Sequence, residues 1–98
     1  MRRLVEFSAA SSAELAALPA HVKKPVAHAI DLLQHQASIR TPQRHPMEGR
    51  FAPHWEARVG DYRIYYAFDE RAVTVVAIRH KGKKRLKEIW RPRKNRAA

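Results

Sequence analysis

The chain has no cysteine, which removes disulfides and thiolate metal sites and fits a reducing cytoplasm. No apolar run approaches the length of a membrane span, and the N-terminal residues lack the apolar core of a signal peptide. The expectation is a cytosolic protein with no membrane partner. Acid is scarce at the C-terminal end. There Arg79, Lys81, Lys83, Lys84, Arg85, Lys87, Arg91, Arg93, Lys94 and Arg96 face Glu88 alone, a balance of +9, whereas residues 1–78 carry ten Lys/Arg against eight Asp/Glu. A field this one-sided attracts polyanions, nucleic acid first and acidic proteins second. There is no internal repeat and no low-complexity segment beyond the basic tail.

What is present is enough for one small domain. Ninety-eight residues with a 45% hydrophobic fraction can bury a single core. The pattern centres on Trp55-Glu56-Ala57-Arg58-Val59-Gly60-Asp61-Tyr62-Arg63-Ile64-Tyr65-Tyr66, which alternates apolar and polar residues on either side of Gly-Asp. A two-residue loop of this type suits a tight β-hairpin. It sets Arg58 against Arg63, Glu56 against Tyr65 and Trp55 against Tyr66. Trp55, Ala57, Val59, Tyr62, Ile64 and Tyr66 then share an apolar face, and Glu56, Arg58, Arg63 and Tyr65 the other. Directly opposed like charges are destabilising unless an anion sits between them. Phosphate suits the planar guanidinium fork.

Around this hairpin the remaining elements fall into place. Arg3–Phe7 reads as a first strand. Ser11 and Glu14 have capping-box spacing and predict a short helix beginning there. Pro19 is either the first residue of a second helix or the joint between the two, and the apolar stripe of that helix is Val22, Val26, Ala29, Ile30 and Leu33, with a kink or restart expected at Pro25. Residues 38–54, carrying Pro42, Pro46, Gly49 and Pro53, predict a long connecting loop. Asp69–Ala72 is a second turn and Val73–Ile78 a last strand. An in-register hairpin there places Tyr65 opposite Val76, so that Thr74, Val76, Ile78 and His80 join the arginine face while Val73, Val75 and Ala77 go beneath the helices. Arg85–Trp90 predicts one or two helical turns, and residues 91–98 a disordered basic tail. The fold class is therefore α+β: a single domain over residues 1–90, β-α-α-β-β-β, with a mostly antiparallel twisted sheet, a helical hairpin on one face and a basic C-terminal helix or tail.

The element order, the Trp55–Tyr66 run, the Ala77-Ile78-Arg79-His80-Lys81 strand end, Leu18-Pro19 and Met47-Glu48-Gly49 together resemble the RelE/ParE superfamily of type II toxins over roughly residues 3–90. The resemblance implies a toxin silenced by a cognate antitoxin protein. In the RelE-like branch it implies a ribosome-dependent messenger-RNA endoribonuclease that inhibits translation, with ribosome and messenger RNA as partners. In the ParE-like branch it implies a non-enzymatic inhibitor of DNA gyrase; an inactive toxin-fold binding module is a further possibility. Arg63 matches the RelE-like catalytic arginine of the middle strand, and Arg58 a basic residue facing it. Lys83 or Lys84 can fill a basic position after the last strand, and Trp90 an aromatic one near the C-terminus. The chain departs from the branch at Glu56, where the founding type carries lysine, and at Trp90, which stacks but offers no phenolic proton.

The implied reaction is attack of an RNA 2′-OH on its neighbouring phosphate, giving a cyclic phosphate and a 5′-hydroxyl. Arg58 and Arg63 can stabilise the charge on phosphorus oxygens but neither is a base. Glu56 and His80 are the proton-transfer candidates, with acid and base roles left open. Lys81, Lys83, Lys84, Arg85, Lys87 and Trp90 are the candidate nucleic-acid contacts. His21, His28, His35, His45 and His54 form no metal-ligand pattern, so no metal or cofactor is expected.

Overall fold

The structure is a computed structural model and describes residues 2–82. Its elements are β1 (Leu4–Phe7), α1 (Ala9–Ala16), α2 (Ala20–Gln36), β2 (Arg44–Pro46), a single 3-10 turn (Gly49–Phe51), β3 (Trp55–Val59), β4 (Tyr62–Phe68) and β5 (Ala72–His80). They build one five-stranded sheet in the order β1-β5-β4-β3-β2. It is antiparallel except where β1 runs parallel to β5. Among the described residues no helix is long and apolar enough to cross a membrane. The short helix expected over Arg85–Trp90, the domain limit at residue 90 and the tail 91–98 lie outside the described residues.

The central hairpin has the expected register at all five pairs, from Val59 opposite Tyr62 to Trp55 opposite Tyr66. Gly60 takes φ +58 while Asp61 stays at negative φ, the requirement of a loop that puts glycine first. The apolar stripe of α2 also falls as its spacing dictates. Val26, Ile30 and Leu33 are buried against Ala57, Ile64, Tyr66, Val73, Val75 and Ile78, with Val22 and Ala29 packed around them. Full burial of one such aliphatic side chain is worth about 1.5–3 kcal/mol. The single buried phenol of this cluster is satisfied, Tyr66 donating to the Ala37 carbonyl at 2.8 Å.

Four expectations are corrected. The first helix begins at Ala9 with Ser8 as its cap; Ser8 Oγ accepts the Ser11 N–H at 3.0 Å. Ser11 lies inside the helix, fully buried, and donates to the Val75 carbonyl at 2.6 Å. Glu14 therefore does not close a capping box; it accepts the Ile78 N–H at 2.8 Å. The cause is the end of β1 at Phe7, beyond which β5 has free edge groups that α1 covers with side chains.

Helix α2 runs through Pro25 as a single 17-residue element with no restart. Pro25 lies on the exposed side near the helix start. The segment 38–54 is not simply a loop, because Arg44–Pro46 pairs with β3 as an edge strand. Its residues have little β-propensity; what holds it is the Arg44 guanidinium. That group, buried, donates to the carbonyls of Gln36 and Ile39 and to Gln36 Oε1 at 2.9–3.0 Å, and so caps the end of α2.

The fourth correction matters most for the site. Phe68 faces Val73 as expected, but a bulge between Tyr65 and Tyr66 puts Tyr66 opposite Val75 and Tyr65 opposite Ala77, leaving Val76 as the extra residue. One added residue reverses the faces of everything after it. Ile78 therefore enters the core beneath the helices at 3% exposure. Ala77 moves to the Tyr65 side, and His80 comes to lie opposite Tyr62 instead of on the arginine face.

Candidate functional site

The sheet face away from α2 carries two rows of candidate side chains. Arg58, Arg63 and Arg79 stand directly opposite one another on β3, β4 and β5. The neighbouring row is His45, Glu56 and Tyr65 on β2, β3 and β4. Adjacent strands lie about 4.8 Å apart, so each row is a short ladder across the sheet.

The three arginines differ in what holds them. Arg58 is half exposed and reaches Glu56 with Nε at 3.6 Å from Oε1. Arg63 folds back over the hairpin, where Nη1 donates to the Gly60 and Tyr62 carbonyls at 3.0 and 2.9 Å. Among the described residues no carboxylate pairs with Arg63, so its charge is available to a ligand anion. Arg79 pairs with Glu14 at 3.0 Å, and its Nε is buried with no hydrogen-bond partner among the described residues.

Glu56 is the hub of the second row. Its Oε1 lies 3.0 Å from His45 Nε2 and takes the Arg58 contact. Its carboxylate also bonds Tyr65. Burial pushes the Tyr65 phenol up to about 12, helped by the Glu56 charge and hydrogen bond and opposed by Arg63 and Arg58.

The sequence-derived candidates thus divide. Arg58, Arg63 and Glu56 share one face, as their register required. His80 is on the other face, packed edge-on against Tyr62 with ring centroids 5.2 Å apart, and its Nδ1 accepts the Gly82 N–H. It borders a groove of about 480 Å³ with Leu18, Pro19, Ile78 and the Glu14–Arg79 pair, away from Arg58 and Arg63. Lys81 sits at the hairpin tip, 3.4 Å from Asp61, with its N–H bonded to the Asp61 carbonyl. Lys83, Lys84, Arg85, Lys87 and Trp90 lie outside the described residues. Three members of the constellation were not singled out from the sequence. Arg79 reaches the face only through the bulge. His45 belongs to a strand with no β signature. Tyr65 was assigned to the right face, but no role followed from that position.

Comparison with known proteins places this geometry in context. Residues 5–91 match the family described as ParE toxin of type II toxin–antitoxin system, parDE. No individual curated protein sequence matches the chain. Among solved structures, the fold is similar to the toxin–antitoxin complex RelBE2 from Mycobacterium tuberculosis, at 23% identity and TM-score 0.70 over 82% of this chain and 99% of that one. It is similar to the archaeal RelE–RelB complex from Pyrococcus horikoshii, at 20% identity and TM-score 0.70 over 85% and 99%. It is also similar to the E. coli DinJ–YafQ toxin–antitoxin complex, at 15% identity and TM-score 0.67 over 84% and 96%. At these identities the likeness concerns the fold.

Proposed function

This chain belongs to the ParE toxin family of type II toxin–antitoxin systems, and within that superfamily we propose, from the geometry of its arginines, that it is a ribosome-dependent messenger-RNA endoribonuclease. The observation that carries the reading is the direct opposition of Arg58 and Arg63 on the sheet face away from α2, with no carboxylate among the described residues neutralising Arg63. A surface used only to bind another protein has no need to crowd cations in this way. A phosphodiester between them meets two planar guanidinium forks held on paired strands.

In the proposed reaction the 2′-oxygen attacks phosphorus, the 5′-oxygen leaves, and negative charge accumulates on the non-bridging oxygens. Arg63 and Arg58 stabilise that charge. Lys81 and the basic stretch carrying Lys83, Lys84, Arg85 and Lys87 hold the RNA backbone, and Trp90 stacks on a base. The ribosome supplies the alignment of the message that so small a domain cannot impose alone. The partner in the resting state is a cognate antitoxin with an acidic segment laid across the arginine face; the three neighbours described above are themselves toxin–antitoxin complexes. Co-expression with the adjacent open reading frame and pull-down tests that pairing.

Purified protein mixed with programmed ribosomes, with 5′ ends mapped on the message, tests the reaction. Wild type should cut, and Arg63→Ala should lose at least about a hundredfold, the scale of removing one transition-state charge donor. The family match itself favours a second reading, inhibition of DNA gyrase without chemistry. Growth arrest with an SOS response and broken chromosomes, and intact transcripts, would select it.

A further inference from the structure

His45, which lies outside every motif in the sequence, is placed by the structure beside the arginine cradle. It faces Glu56 directly across β2 and β3 and is a diagonal neighbour of Arg58, a relationship that spans about 7–8 Å between backbones. Both side chains converge on one atom, Glu56 Oε1, His45 at 3.0 Å and Arg58 at 3.6 Å.

Glu56 is poorly free to act as a base itself. Its carboxylate already receives His45, Arg58 and Tyr65, and its side chain is only 15% exposed. His45 is the more open member of the pair at 37%. Its ring contacts are informative. Nε2 meets the Glu56 carboxylate, and Nδ1 lies 3.1 Å from the carbonyl of Pro46. A carbonyl and a carboxylate are both acceptors, so a ring carrying a proton on each nitrogen satisfies both contacts. The two protons are not held alike. Glu56 grips Nε2–H with a full charge, while Nδ1–H rests on a neutral carbonyl, the weaker acceptor.

Resting on the endoribonuclease reading above, we propose that His45 is the general acid of the cleavage, with Glu56 as its positioning residue. The 2′-oxygen forms its bond to phosphorus and its proton passes to solvent water. The phosphorus–O5′ bond breaks, and the departing 5′-oxygen takes the proton from His45 Nδ1. The products are the 2′,3′-cyclic phosphate and the 5′-hydroxyl, and the ring regains its proton from solvent. Glu56 holds the imidazolium in place through Nε2, the role a buried carboxylate plays toward a catalytic histidine.

The test uses programmed ribosomes carrying either an ordinary message or one with sulfur in place of the bridging 5′-oxygen at the cleaved linkage. A thiolate leaves without protonation, so the sulfur linkage needs no acid. His45→Gln should slow cutting of the oxygen linkage by about a hundredfold or more, the usual contribution of a general acid. It should cut the sulfur linkage within a few-fold of wild type, which also reports an intact fold and ribosome binding. Glu56→Gln should show the same selective rescue with a smaller loss. Equal losses on both linkages in His45→Gln, or wild-type cutting of the oxygen linkage, would overturn the acid role while leaving the nuclease reading standing on Arg63. A wild-type protein that cuts neither linkage would take down both.

Discussion

Arg79 stands directly across the sheet from Arg63, and Glu14 of α1 holds it there. This one relationship joins three features that look independent in the chain: the bulge at Val76, the early start of the first helix, and the third arginine of the row. Glu14 divides its two oxygens between them. Oε2 takes Arg79 at 3.0 Å and Oε1 takes the Ile78 N–H at 2.8 Å, an edge group that β1 is too short to pair.

Glu14→Ala should therefore cost more than a surface ion pair does. It leaves a partly buried edge N–H and a partly buried guanidinium, whose Nε is already unpartnered among the described residues, without their acceptor. The expected loss is about 1–3 kcal/mol in urea unfolding, against less than about 1 kcal/mol for an exposed pair. Glu14→Gln should recover part of it, because an amide oxygen can still accept the Ile78 N–H. Equal stability of Glu14→Ala and wild type would mean that α1 covers the edge by packing alone.

Arg44 gives a second stability prediction, on the opposite side of the sheet. Its guanidinium satisfies two carbonyls at and beyond the end of α2 and the Gln36 amide. Arg44→Met keeps the apolar stem and deletes the donors, so the loss measures orphaned carbonyls instead of lost packing. About 3 kcal/mol is expected in denaturant unfolding. Arg44→Lys should restore little, since one ammonium cannot span the same acceptors as the planar fork. β2 should be the element that loosens, detected as faster amide exchange at Arg58, whose N–H bonds the Gln43 carbonyl at 2.7 Å.

These two residues also mark where sequence reading reaches its limit. The central hairpin was legible because alternation, a glycine-led loop and matched strand lengths all specify the same register. The α2 stripe was legible for the same reason at helical period. The bulge was not: Val73–Ile78 is uniformly β-prone, so nothing in its composition says which residue is to be the unpaired one. That single ambiguity moved His80 off the arginine face and brought Arg79 onto it. β2 escaped notice because a three-residue edge strand containing proline is held by contacts distant in the chain, and His45 went with it. Ser8 and Ser11 are both good caps; which one served depended on where β1 stopped. Of the candidate site, the arginine pair and Glu56 followed from local pattern, and the rest needed tertiary pairing.

Tyr65 supplies a pH dependence with a definite sign. Its phenol is raised to about 12 from an ordinary 10, first by burial and then by Glu56. Between those values an unfolded chain has released the proton that the folded chain keeps. The folded state then binds more protons, so stability falls as pH rises through this window. Below pH 10 the contribution is fully present, and above about 12 it is gone. A two-unit shift corresponds to about 2.7 kcal/mol. Tyr66, raised still further by burial, adds a fall of the same sign. Unfolding free energy measured from pH 9 to 12 should decline, and Tyr65→Phe should decline less steeply because it retains only the Tyr66 part. Phenolate absorbance of the folded protein should show two tyrosines resisting ionisation in wild type and one in Tyr65→Phe. If the variant and wild type lose stability in parallel, the Tyr65 phenol is neither buried nor held by Glu56 in solution, and the second row of the site is less tightly joined than its geometry indicates.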